Sequence, residues 1–128
     1  MGITFLPVRI SNPHDQKRAA EVQFLVDTGA LYSVIPSNLA HQLGLKKIDR
    51  EEFTLADGTH CKYDVGEASF QLGKRRRTSP VVLGPPEVTP LLGALTLESL
   101  GLMVNPVTRE VLPMKLFLAE SPSVIRRR

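Results

Sequence analysis

Asp27 closes the apolar run Phe24-Leu25-Val26 and is followed by Thr28, Gly29 and Ala30. A continuous apolar run ended by a turn signal suits a strand buried on both faces, which would carry the carboxylate into or beside the core. Burial disfavours the ionised form, so an acid placed there either becomes neutral or finds partners. A small hydroxyl residue and a glycine can supply a local hydrogen bond and let backbone amides approach the carboxylate. That combination suits a carboxylate held ready for acid and base chemistry. A bare Asp-Thr-Gly also fits an Asx-type turn at a strand end, in which Asp27 only satisfies nearby amides. Context must separate the two.

Other reactive residue types offer less. His60 and Cys61 are adjacent, and on a strand they point to opposite faces, which is poor geometry for a nucleophile and its base. His14, His41 and His60 have no recognised metal-ligand spacing, and no metal or cofactor is expected. The basic run at residues 74–77 could touch phosphate, but a hairpin tip of this kind is commonly solvated. An aromatic fraction of 5% gives little on which to stack bases, so nucleic acid is not an expected partner. Met1-Gly2 lacks the Ser or Thr preferred for myristoylation, because Leu6 holds that place.

The positions around these residues describe one domain. A chain of 128 residues, 42% hydrophobic and 23% charged, is sized and composed for a single globular core. No apolar stretch is long enough to span a bilayer, and the N-terminus has no basic region followed by a long apolar segment, so a soluble cytoplasmic protein without a membrane partner is expected. Cys61 is the single cysteine, consistent with a reducing compartment. The net charge of +3 owes much to residues 74–77 and 126–128.

Residues 3–10, interrupted by Pro7, read as an edge strand, joined through a turn at 11–15 to a strand over 21–26 that ends at Asp27. Residues 31–35 form the next strand. A short helix follows, with Ser37 as N-cap and Gly44 as its stop. Residues 53–55 and 60–65 flank Ala56-Asp57-Gly58-Thr59, a strong hairpin signal. Further strands are expected at 68–72 and 78–83, then a short apolar strand ending in Leu91-Leu92-Gly93. A helix over 95–100 and a last hairpin reaching 118 complete the domain, placed within residues 1–120. Residues 121–128 are expected to fray as a basic tail. Short strands with regular turns imply an all-β barrel or sandwich with two small helices. A weak internal repeat adds to this: both halves hold an apolar strand, a Gly-Ala turn, a helix and a Leu-Gly-Leu exit, at Leu43-Gly44-Leu45 and Leu100-Gly101-Leu102.

In this order, Leu25-Val26-Asp27-Thr28-Gly29-Ala30, the hairpin at residues 56–59 and the strand Leu91-Leu92-Gly93 resemble the single-domain aspartic proteases of the retroviral type, the retropepsins. The resemblance implies a closed β-barrel subunit with a flap hairpin, and a homodimer in which each chain supplies one Asp27. It implies hydrolysis of a peptide or protein substrate by water activated between the two carboxylates, with no cofactor. Thr28 and Gly29 would brace the catalytic loop and meet the substrate backbone, with Ala30 beside them. Ala56, Asp57, Gly58 and Thr59 would form the flap, and Leu91, Leu92 and Gly93 the second supporting loop. Retroviral members often place an acid two positions after the motif glycine and an Arg after the later glycine. Here Leu31 and Ala94 stand there, so the support beneath the site must be built differently. A second expectation, from another class, is a catalytically silent dimeric module that binds peptides or directs assembly.

Overall fold

The computed structural model describes residues 3–116 and residue 118. The basic tail expected at residues 121–128 lies outside the described residues. Strands β1 (Phe5–Asn12), β2 (Asp15–Val26), β3 (Ser33–Pro36), β4 (Asp49–Thr54), β5 (His60–Leu72), β6 (Arg75–Gly84) and β7 (Leu91–Leu92) form one seven-stranded sheet. Its order is β1-β2-β7-β3-β6-β5-β4, and a further β1–β5 pairing closes it into a ring from which β4 projects. Helix α1 (Ser37–Leu43) follows β3, and α2 (Ala94–Ser99) follows β7. Strands β8 (Leu102–Val104) and β9 (Val111–Pro113) form a separate antiparallel pair. The fold is therefore mostly β with two short helices.

Period-two alternation creates the core. Val8 and Ile10 of β1 are fully buried while the intervening Arg9 is exposed, and they join Phe24, Ile35, Phe70, Val81 and Leu92 in one apolar cluster. The rings of Phe24 and Phe70 lie 5.8 Å apart. Each such side chain contributes roughly 1.5–3 kcal/mol by leaving water.

Several sequence expectations need correction. Strand β1 is not an edge strand throughout, because residues Arg9, Ile10 and Ser11 pair with β5 as well as β2. Pro7 stands outside that doubly paired stretch, where its missing N–H breaks no second ladder. The strands expected at 60–65 and 68–72 are one continuous β5. They pass through Gly66, where a Cβ would come within 2.7 Å of the Lys46 carbonyl oxygen. The N-cap of α1 is Pro36, not Ser37, and no side chain caps that end. Gly44 does terminate α1, in the left-handed conformation that its missing Cβ makes accessible.

The topology also refines the internal repeat. In the first half the short strand preceding the helix is β3, and in the second it is β7. Each crosses to lie parallel to the long strand of the other half, β3 along β6 and β7 along β2. Val34 and Leu91 join the two short strands antiparallel at the centre. The strand carrying Asp27 is thus held by the second half of the chain.

Candidate active site

Asp27 begins where β2 ends. Its N–H donates to the Leu92 carbonyl at 3.0 Å, and the preceding Val26 N–H donates to Thr4 at 2.9 Å. These bonds fix the backbone on both sides just before it turns. The Gly29 N–H then donates to Asp27 Oδ1 at 2.9 Å, and the Ala30 N–H to the Asp27 carbonyl at 3.2 Å. The local structure is an Asx-type turn, and it leaves Oδ2 without a protein donor among the described residues. Burial on both faces does not extend to the strand end: Leu25 and Asp27 are half-buried, and Thr28 and Gly29 are exposed. The carboxylate sits at the rim of the core because β2 passes there into a cavity wall.

Beneath the turn, the start of α2 replaces a charged support with neutral hydrogen bonds. Ala94 and Leu95 donate their N–H groups to the carbonyls of Ala30 and Leu31 at 2.8 and 3.0 Å. The Gly93 N–H donates to Ser33 Oγ at 3.0 Å. Ser33 Oγ lies 2.6 Å from Thr96 Oγ1, which lies 2.9 Å from Ser79 Oγ, and Ser79 donates to the Pro80 carbonyl at 3.4 Å. Since Ser79 donates onward, the chain is satisfied when Ser33 donates to Thr96 and Thr96 to Ser79. All three hydroxyl residues are buried. Thr96→Val keeps the shape but leaves Ser33 without an acceptor and Ser79 without a donor. The variant is expected to lose about 1–3 kcal/mol, seen as a lower urea midpoint at unchanged slope.

Facing Asp27 is the ribbon of β4 and β5, paired from Asp49↔Val65 to Thr54↔His60. Its tip is closed by Gly58 N–H to the Leu55 carbonyl at 2.9 Å and Leu55 N–H to the Thr59 carbonyl at 2.7 Å. Gly58 has φ +88°, a conformation that favours glycine. The Thr59 hydroxyl and its N–H, the latter at 2.9 Å, hold the Asp57 carboxyl below the usual aspartate range. A depressed acid stabilises the turn above its unfolded pKa, and that contribution is lost as pH falls through the lowered folded value. The protection factor of the Thr59 amide should therefore be higher with Asp57 ionised than after acid has protonated it. Asp57→Ala should abolish that pH dependence, which amide exchange measures directly.

Between ribbon and turn lies a cavity of about 750 Å³. Asp27, Gly29, Ala30, Ala56 and Leu91 line it, so three separately predicted segments meet there. Thr28, Asp57, Gly58, Thr59, Leu92 and Gly93 do not. Thr28 is exposed beside the opening, residues 57–59 form the ribbon tip, Leu92 is core, and Gly93 packs under the turn. Sequence reasoning missed the aromatic wall: Tyr32 and Phe53 have ring centroids 6.0 Å apart, and Phe53 and Tyr63 6.5 Å. The alternation of Glu51, Phe53 and Leu55 was the available signal. Another cavity, of about 600 Å³, lies between the β1–β2 turn and residues 44–48. Its Asn12 and Arg18 side chains donate to carbonyls at the end of α1.

A family model described as aspartyl protease matches residues 6–104. Among solved structures, the chain is similar to EIAV protease complexed with the inhibitor HBY-793, at 18% identity and a TM-score of 0.59, covering 91% of this chain and 94% of that one. It is also similar to a retropepsin-like aspartic protease from Rickettsia conorii, at 20% identity and a TM-score of 0.49, covering 82% and 89%. No curated protein sequence matches the chain.

Proposed function

The chain belongs to the aspartyl protease family, and from that premise we propose that it is an aspartic endopeptidase, active as a homodimer with Asp27 of each chain as the catalytic pair. The observation that carries the proposal is Asp27 itself, anchored by its own backbone, with one carboxylate oxygen free of protein donors among the described residues, on the wall of a largely apolar cavity. One acid per chain suffices if two copies bring their turns together, because two carboxylates at contact distance share one proton. The ionised member takes a proton from water as it attacks the peptide carbonyl, and the protonated member donates to the carbonyl oxygen.

The remaining roles follow from position. Thr28, exposed beside the opening, faces the second copy, and Gly29 and Ala30 present backbone to an extended peptide. The ribbon tip at Ala56, Asp57, Gly58 and Thr59 acts as a flap that covers the peptide and excludes water. Leu91, Leu92 and Gly93 hold the turn from below. Among the described residues, no helix is long and apolar enough to cross a membrane.

The test is cleavage of a diverse peptide library from acid to neutral pH over a range of protein concentrations. The proposal expects specific activity to rise with concentration until dimerisation saturates. A protein demonstrated to be dimeric that binds peptides without cleaving them would instead be the silent binding module.

A further inference from the structure

The flap ribbon divides its charges between two faces. On the face turned from the cavity, Arg50 pairs with Asp64 at 2.8 Å and Glu52 stands opposite Lys62 in the ladder. Alternation puts Glu51, Phe53 and Tyr63 on the other face, with Glu51 directly opposite Tyr63, and all three line the cavity with Asp27. Asp27 and Glu51 are the acids of that lining, and among the described residues no Lys, Arg or His belongs to it. Among the described residues Glu51 makes no ion pair. The outer acids thus have bases opposite them within the ribbon, whereas Glu51, unlike Asp49 of the same parity, lines the space a peptide would fill.

We propose that Glu51 is a specificity-determining residue: the cleft selects peptides carrying Lys or Arg at the subsite beneath it. This rests on the endopeptidase reading for the cleft's use, but not for its charge preference. The aliphatic stem of such a side chain lies against the rings of Phe53 and Tyr63, and its cationic head reaches the carboxylate. Closure of the flap removes water from the pair, which strengthens a charge-assisted hydrogen bond and penalises an acidic side chain in the same place.

Two arms separate this inference from the question of turnover. In the first, wild type, Glu51→Gln and Glu51→Lys are given peptide sets in which each position holds Lys, norleucine or Glu in turn. Wild type should favour Lys over Glu at one position by about tenfold or more in kcat/KM, Glu51→Gln should flatten the preference, and Glu51→Lys should reverse it. In the second, Asp27→Asn, alone and combined with Glu51→Lys, is titrated with the same peptides and binding is followed by calorimetry. The Lys-over-Glu preference should persist in the single variant and invert in the double one. Identical preferences with and without the Glu51 change, or no discrimination in binding, would overturn the proposal whether or not the wild type cleaves. Loss of cleavage with retained, invertible discrimination would overturn only the endopeptidase reading.

Discussion

Asp27→Asn is expected to lower peptide cleavage by about 10⁴-fold, the upper end for a positioned proton-transfer group, while the protein stays folded. Asparagine keeps the side-chain size and can still accept the Gly29 N–H through its amide oxygen, so the turn survives. It cannot take a proton from water or share one with a second carboxylate. The measurement is the single-turnover rate at saturating peptide, with circular dichroism of both proteins as the control for folding. Mixing adds a second readout. If only dimers with two intact acids cleave, equal amounts of variant and wild type should reduce activity per wild-type chain to about one half after exchange. Unchanged cleavage in the variant would remove Asp27 from the chemistry.

Gly93→Ala should have the largest effect on stability. A Cβ there would lie 2.6 Å from both the carbonyl carbon and oxygen of Tyr32 and 2.8 Å from the carbonyl oxygen of Leu31. These are backbone atoms, held by the Ala94 and Leu95 N–H bonds to residues 30 and 31, so they cannot swing aside as a surface side chain does. Overpacking of this kind costs about 3 kcal/mol or more, and Tm should fall by more than about 12 °C. Activity should fall as well, because relief of the clash moves the segment that follows Asp27. Thermal unfolding followed by circular dichroism checks the first effect. A Tm within about 2 °C of wild type would mean that the two segments separate easily, and that the turn is less firmly braced than these distances imply.

What was legible in the sequence was local. Asp27-Thr28-Gly29 and Asp57-Gly58 announce turns through residues whose backbone preferences act at short range, and both turns form where expected. Pro7 correctly marks a stretch with one neighbour, yet it says nothing of Arg9–Ser11, where the ring closes on β5. Leu31 and Ala94 reveal what is missing below the site. Its replacement was invisible, because Ser33, Ser79 and Thr96 are ordinary hydroxyl residues until the fold brings them together from separate segments. Phe53 reads as part of a strand, but its partners Tyr32 and Tyr63 become a cavity wall only once register sets which face of the ribbon turns inward.

Strand β7 has two residues, yet it joins β2 to β3 and supplies the carbonyl that anchors Asp27. During translation, the nascent chain exposes Asp27 long before residues 91–95 leave the ribosome. Until they arrive, the turn lacks the Leu92 carbonyl and the N–H groups of Ala94 and Leu95. Pairings so distant in sequence are slow to form, because loop-closure entropy opposes them. The geometry around Asp27 is therefore completed only once this segment is made: a ribosome stalled before it holds a chain that carries the acid without the bonds that fix it.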